Sequence, residues 1–312
     1  MIEITDTTLC GIPLNQQNAL KASALYELLL DLGADYVQIP ADALPLLAEV
    51  IRPERTVLEG FAGDACGALE RFAGYVTNCP VSPLPGRLIV EAKIDLAEPG
   101  FADEIRWTAD ATLFMQAYDC IFGRLAGGRP SGLCVRAGGV YGTALLAEWV
   151  LAGGRKLTAS FMGAGGYSPL EEILAALHVT GRLREGIRLD RLSCMGEIYR
   201  SIVGCTIPPH QPVIGDDIFH VESGVHVDGM SKDRRCYEPF APEVVGARRR
   251  IVIGKHSGMH ALSIKLKELG FRAEIDLSEL LAIVRKESID KGRQIYDGEL
   301  LQMAKQIKDG NG

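Results

Sequence analysis

Residues 2–39 read IEITDTTLCGIPLNQQNALKASALYELLLDLGADYVQI, and this stretch decides the fold class. Residues 2–5 and 36–39 each predict a strand. Between them Asn15 is a residue type that caps helices, and leucines recur on one face until Gly33, where we expect the helix to end. A strand, a helix and a second strand in this order predict a βα unit of a parallel sheet.

The same alternation continues through the first two thirds of the chain. It predicts further strands at residues 56–61, 87–94, 133–137 and 157–162. It also predicts helices at residues 45–51, 142–151 and 169–179. A closed (β/α) barrel usually takes about 250 residues, whereas here only residues 1–188 precede a change in composition. We therefore predict an α/β fold with a trimmed or incomplete TIM-type barrel.

The remaining chain divides into two parts. Residues 189–258 begin with a predicted helix at 189–203 and continue through TIPPHQPVIG, a proline-rich stretch typical of a linker or domain junction. Residues 259–312 predict a small helical C-terminal subdomain. With the barrel-like domain at residues 1–188, this gives three segments.

Charge and composition exclude several classes of partner. The formal net charge of −7 argues against a broad nucleic-acid interface, because phosphates are neutralised by clustered Lys and Arg. The arginines at 248–250 are interpreted as a solvated loop. No apolar run approaches the roughly 20 residues of a membrane span. The eight cysteines form no close pair and the opening residues resemble no export signal, so we expect a cytoplasmic location.

Residues 212–258 read PVIGDDIFHVESGVHVDGMSKDRRCYEPFAPEVVGARRRIVIGKHSG and contain four motifs in order, ESGVHVDG, YEPF, PEVVG and IGKHSG. This segment resembles the post-barrel region of the homocitrate synthase and 2-isopropylmalate synthase family, of the DRE-TIM metallolyase type, and especially nitrogen-fixation-type homocitrate synthases. ITDTTL and LGADYVQIPA resemble the family's first two strands. The family's Arg-Asp-Gly-Glu-Gln run is missing after Leu9, and Gln38 stands where a Glu is usual.

The resemblance implies an acyltransferase that condenses acetyl-CoA with a 2-oxo acid, and the nitrogen-fixation likeness points to 2-oxoglutarate. It also implies that residues 189–258 include a dimer-exchange region that reaches into a neighbouring subunit's active site. His226 and Tyr237 would assist proton transfer there, with Glu222 as a third catalytic residue and Ser223 in substrate binding. The alternative is that ESGVHVDG only folds the linker.

The resemblance further implies a divalent metal, Mg, Mn or Zn, held by an Asp on the first strand, an HxH pair and an Asn. Asp6 is the one match, while Arg136 and Gly138 stand in place of the two histidines. All six histidines lie beyond residue 177. We therefore expect Asp6 to be a vestigial ligand neutralised by Arg136, and we expect this chain alone to bind no cofactor. In the barrel, Thr158 and Arg136 are the predicted substrate-binding residues.

An oxygen-only cation site remains an alternative, with the candidate ligands Asp6, Glu59, Glu91 and Asp95. The favoured interpretation is that these residues form ion pairs inside the barrel. Any metal of an active complex would then belong to the partner subunit.

Three main hypotheses about function follow. The chain is a partner-dependent subunit of a homocitrate synthase-like acyltransferase, inactive alone, that lends His226 and Tyr237 to a homologous subunit or a second copy. Alternatively, it is a non-catalytic scaffold or regulatory paralogue. The third possibility is a barrel enzyme of changed reaction, with Lys93 between Glu91 and Asp95 as a proton-transfer or Schiff-base centre. An ordinary self-sufficient synthase with displaced ligands also stays open.

Overall fold

The computed structural model describes residues 1–60, 70–77, 86–94, 102–136, 141–222, 226, 229–230, 232–234 and 237–310. The described chain divides into two compact units, residues 1–215 and residues 216–312. This division differs from the three predicted segments, since the helix predicted at 189–203 falls in the first unit.

Eight parallel strands form the core of the first unit. They are β1 (Glu3–Asp6), β2 (Tyr36–Pro40), β3 (Thr56–Glu59), β4 (Gly74–Thr77), β5 (Leu88–Lys93), β6 (Glu104–Ala109), β7 (Ser131–Val135) and β8 (Lys156–Ala159). The strands pair in chain order, and β8 pairs with β1, so the barrel is closed. The predicted TIM-type class is confirmed, and the alternative of an incomplete barrel is wrong.

Short connections explain how a closed barrel fits into so few residues. Residues 78–87 join β4 to β5, and residues 94–103 join β5 to β6. A crossover between parallel strands usually needs a dozen or more residues because it contains a helix. The barrel is therefore trimmed in its connections and keeps all eight strands.

Six helices accompany the barrel strands in the described residues: α1 (Ala19–Leu32), α2 (Leu44–Leu47), α3 (Tyr118–Ala126), α4 (Gly142–Leu151), α5 (Leu170–Val179) and α6 (Leu192–Val203). Helix α1 begins at Ala19, because the Asn15 side chain instead accepts backbone N–H bonds in a preceding turn. It ends at Gly33, whose φ of 110° is left-handed, as predicted. Helix α6 packs on α1, where Lys21 Nζ donates to the Ser201 carbonyl at 3.0 Å.

Where its residues are described, the second unit shows a parallel pair of short strands and three long helices. The strands are β9 (His220–Val221) and β10 (Arg250–Ile251). The helices are α7 (Met259–Glu268), α8 (Leu277–Lys291) and α9 (Asp297–Gly310). Their apolar faces meet in a buried cluster that includes Leu262, Leu280 and Leu300. Among the described helices of the whole chain, none is long and apolar enough to cross a bilayer.

Candidate functional site

The interior of the barrel is lined by charged and polar side chains. Arg106 on β6 donates from Nη1 to Oε1 of Gln38 on β2 at 2.6 Å. Because β2 and β6 lie on opposite sides of an eight-stranded barrel, this contact passes through the interior. Side chains alternate between the two faces of a strand, and register partners share a face. The register therefore places Glu59 and Glu91 on the interior face as well.

A chain of polar contacts joins these residues, which we call the interior network: Gln38, Glu59, Glu91, Arg106 and Arg136. Gln38 Nε2 donates to Glu59 Oε2 at 2.8 Å, and Arg106 Nη1 lies 3.3 Å from Glu91 Oε1. Arg136, directly after β7, contacts Glu91 Oε2 at 2.9 Å. Two guanidinium groups thus flank Glu91, which confirms the predicted ion pairing for Glu91, whereas Glu59 accepts a hydrogen bond from the neutral Gln38 amide.

A second set of interior charges lies nearer the amino ends of the strands. Lys156 Nζ contacts Glu104 Oε2 at 2.5 Å and Glu3 Oε1 at 3.1 Å, and Arg87 forms ion pairs with the same two carboxylates. TIM-barrel interiors are usually filled by layers of Val, Ile and Leu. This barrel instead combines two layers of ion pairs with a small buried apolar cluster of Val57, Val76 and Ile89.

Arg136 lies at the edge of the interior network, with its side chain 39% exposed. Its guanidinium lies over the Tyr167 ring, 4.3 Å from the centroid, and Nη2 donates to the Tyr167 hydroxyl. Burial raises the pKa of Tyr167, so this hydroxyl stays protonated. We expected Arg136 to neutralise Asp6. That expectation is wrong, because Arg136 pairs with Glu91.

Asp6 points away from the barrel interior. Its neighbour Thr5 is in register with Tyr36, which shares the interior face of β2 with Gln38, so alternation turns Asp6 to the opposite face. Both carboxylate oxygens accept hydrogen bonds from Thr8, one from the backbone N–H and one from the hydroxyl, at 2.8 Å each. Burial raises the pKa of Asp6 to about 7. The predicted role of Asp6 as a vestigial metal ligand gains no support from this placement.

The interior residues do not fit a divalent cation. In the described residues, no group of three or more His, Cys, Asp or Glu side chains is arranged to hold a metal ion. The guanidinium of Arg136 lies beside Glu91, and Glu59 and Glu91 already accept hydrogen bonds from Gln38 and the two arginines. Asp95, the remaining oxygen candidate, lies outside the described residues.

Two other predicted barrel residues have different environments. Thr158 is 3% exposed on the interior face of β8, in register with Thr5 and Cys134. Lys93 is exposed at the end of β5. A lysine becomes nucleophilic when it is desolvated, so the exposure of Lys93 argues against a Schiff-base centre.

In the second unit, the structure brings His226 and Tyr237 together. Their ring centroids lie 5.3 Å apart at an angle of 53°, and both side chains are exposed. The Tyr237 ring lies across Gly229, where a Cβ atom would be 2.1 Å from the Tyr237 hydroxyl oxygen. The two residues therefore form an accessible imidazole–phenol pair, and the absence of a side chain at Gly229 makes room for it.

Glu222 connects two of the sequence motifs. Its Oε1 accepts the backbone N–H of His256 at 2.8 Å, and its carbonyl accepts the Ser257 hydroxyl at 3.3 Å. Gly254 allows this approach, since a Cβ there would be 2.6 Å from Glu222 Oε1. These contacts make Glu222 an anchor for the IGKHSG turn, and its catalytic role stays a prediction. Ser223 lies outside the described residues.

Sequence patterns did not predict Arg106 or the ion pair between Glu238 and Arg249. Arg106 lies at the centre of the interior network and is 1% exposed. The available signal was a charged residue inside EIRWTA, the otherwise strand-like sequence of β6. For Arg249 the sequence carried no signal, because three consecutive arginines resemble a solvated loop.

Comparison with known proteins finds a family match in the second half of the chain. Residues 213–292 match the family described as "Homocitrate synthase post-HMGL domain-like". This region is therefore similar to the homocitrate synthases, as its motifs predicted. Two solved lyases, the HMG-CoA lyase of Bacillus subtilis and the hydroxymethylglutaryl-CoA lyase of Pseudomonas aeruginosa, each match with a TM-score of 0.50 at 12% identity. Each match covers 66% of this chain and 95% or 94% of the lyase, and it supports the barrel fold alone.

Curated relatives carry several synthase names. The homocitrate synthase omega subunit of Clostridium pasteurianum is 36% identical over 165 residues, which is 53% of this chain and 47% of the relative. A probable 2-isopropylmalate synthase of Ignicoccus hospitalis is 35% identical over 50% of this chain and 40% of its own length. Homocitrate synthase 1 of Nostoc is 35% identical over 50% of this chain and 43% of its own length. The matched part of this chain spans less than half of each relative.

Proposed function

We propose that this chain is the partner-dependent subunit of a homocitrate synthase-like acyltransferase and that it lends His226 and Tyr237 to the active site of a catalytic partner. The observation that carries the proposal is the exposed imidazole–phenol pair on a chain whose own barrel interior contains a network of ion pairs. The relative named as an omega subunit of homocitrate synthase supports a division of labour between chains.

The two side chains suit the chemistry of a Claisen-type condensation. A proton leaves the methyl carbon of acetyl-CoA, the resulting carbanion attacks the carbonyl of the 2-oxo acid, and hydrolysis of the thioester releases CoA. A histidine accepts and returns protons near neutral pH, and a tyrosine hydroxyl donates a hydrogen bond to developing negative charge. The 2-oxo acid of this proposal is 2-oxoglutarate, by likeness to the nitrogen-fixation type.

The barrel of this chain serves as a structural body in the proposal. The divalent ion and the CoA site belong to the partner, which is a homologous synthase-type subunit or a second copy. Metal analysis of the purified chain is expected to find less than stoichiometric Mg, Mn or Zn. One tightly bound divalent ion per chain would refute the assignment of the barrel.

Co-expression with a homologous candidate partner tests the lending of His226. CoA release from acetyl-CoA and 2-oxoglutarate is measured by chromatography. Removal of a general base costs about 10²- to 10⁴-fold, so we expect a loss of that size for His226→Ala in the assembled complex. His260→Ala is the matched control, since His260 is another exposed histidine of the second unit.

The same assay separates the alternatives. Unchanged turnover of an intact complex containing His226→Ala would refute the lending and favour a non-catalytic scaffold. Turnover by this chain alone would show a self-sufficient synthase. Tyr237→Phe is expected to lower the turnover of the complex. Tyr296→Phe is the control and should leave turnover unchanged, because Tyr296 is an exposed tyrosine directly before α9.

A further inference from the structure

Tyr237 lies in a turn that is held in place by the following residue, Glu238. The backbone N–H groups of Tyr237 and Glu238 both donate to the Arg234 carbonyl, at 2.9 and 3.0 Å. Glu238 then accepts two hydrogen bonds from Arg249, from Nε to Oε1 at 2.6 Å and from Nη2 to Oε2 at 2.5 Å. A two-point contact between a guanidinium and a carboxylate fixes orientation as well as distance.

The turn is attached to both short strands of the second unit. Arg249 directly precedes Arg250 of β10. On the other strand, Phe219 directly precedes His220 of β9, and its ring packs edge-on against Phe240 with centroids 6.1 Å apart. Glu238 and Phe240, the residues on either side of Pro239, are therefore held by contacts next to the β9–β10 pair.

The ion pair between Glu238 and Arg249 is sheltered. The side chains are 10% and 18% exposed, whereas Arg248 and Arg250 are exposed residues. Fully exposed pairs contribute little because solvent screens them and both side chains lose freedom. A sheltered two-point pair restrains its turn more strongly.

We propose that Arg249 is a positioning residue that, through Glu238, holds Tyr237 against His226. The inference rests on the proposed function, because it assigns Arg249 a part in presenting the imidazole–phenol pair to the partner. Without Arg249, the turn loosens and the Tyr237 ring leaves its place across Gly229. Misplacement of a reacting group by about 1 Å costs on the order of 100-fold in rate.

The first test uses the full chain alone and needs no partner. In the NMR spectrum of the ¹³C-histidine-labelled protein, the signal lost in His226→Ala identifies His226, and Tyr237→Ala shows where that signal lies without the neighbouring ring. Arg249→Ala is expected to move the His226 signal toward its Tyr237→Ala position. Arg248→Ala, the neighbouring exposed arginine, is expected to leave it in place. An unchanged His226 signal in folded Arg249→Ala overturns the inference.

Two further variants guard against a general folding defect. Arg249→Lys keeps the charge but not the two-point contact, so it should move the signal part of the way. Gly229→Ala leaves the ion pair intact and fills the space beneath Tyr237, so it should displace the ring directly. Circular dichroism checks that each variant is folded.

The second test uses the complex. Arg249→Ala is expected to lower kcat about 10- to 100-fold with little change in KM, and to cause no further loss when Tyr237 is already alanine. Additive losses in the double variant would overturn the inference, because independent sites add and coupled sites do not. If the His226 signal moves but neither Arg249→Ala nor Tyr237→Ala changes CoA release, the proposed function fails while the positioning role stands.

Discussion

Replacing Arg106 with alanine is expected to destabilise the barrel unit by about 3–5 kcal/mol. The Arg106 side chain is 2% exposed, and it donates to Gln38 and lies 3.3 Å from Glu91. Removal leaves the Gln38 oxygen without its donor and Glu91 with Arg136 as its remaining partner. Deleting one side of a buried ion pair costs about 3–5 kcal/mol, and this range applies because Glu91 would keep only Arg136, whose side chain is 39% exposed.

Tryptophan fluorescence during urea unfolding measures the loss of stability in the barrel unit. The chain has two tryptophans, Trp107 and Trp149, which are 2% and 1% exposed and both lie in residues 1–215. Arg188→Ala is the control, because Arg188 pairs with Asp31 at a surface site where both side chains are more than 40% exposed. Such pairs contribute about 0–1 kcal/mol.

Two outcomes decide whether the charge or the volume of the interior side chains determines the stability of the barrel. A loss below about 1 kcal/mol in Arg106→Ala, no larger than that of Arg188→Ala, would refute the view that ion pairs hold this barrel. Replacing a buried ion pair by apolar residues of similar size is often neutral or stabilising. The double variant Arg106→Met with Glu91→Met is therefore expected to recover part of the stability that Arg106→Ala loses.

Two further predictions concern the same unit. Gly11→Ala would place a Cβ 2.4 Å from the backbone of Ala164, so urea unfolding should show that the free energy of unfolding falls by about 1–3 kcal/mol. Gly123 lies in open space within α3, so Gly123→Ala should instead raise the free energy of unfolding by up to about 1 kcal/mol. Burial raises the pKa of Glu171 from 4.5 to about 8, so stability should fall as the pH rises between these values and then level off. Glu171→Gln should reduce this fall in the urea midpoint and leave the part that comes from Asp6, whose pKa burial also raises, whereas Glu185→Gln, at an exposed carboxylate, should preserve the whole fall.

Local sequence signals predicted the regular part of the barrel. Helix α1, which Gly33 follows, has the expected helical periodicity and is confirmed. The strand that begins at Tyr36 is confirmed as well. Strands β4 and β6 were missed. Strand β6 carries Glu104 and Arg106 on its interior face, and charged residues hide the apolar pattern by which strands are recognised. The partner that explains Arg106, Gln38, lies 68 residues away in the sequence.

Site residues that belong to a sequence motif could be predicted. Contacts that depend on the register between strands could not. The motifs indicated His226 and Tyr237, and the structure brings their rings together. The expected contact between Asp6 and Arg136 failed because a shift of one residue along a strand turns a side chain to the other face. The pairing of Arg249 with Glu238 depends on a turn whose path no local pattern specifies.

The balance of charge inside the barrel limits how this chain can change over generations. Replacing Arg136 by a histidine would take one of the two cations from Glu91, and replacing Gln38 by a glutamate would add a third carboxylate beside Glu59. Each step alone passes through a less stable protein, because an uncompensated buried charge is costly. A change of this interior to a metal-binding one therefore requires several substitutions at once.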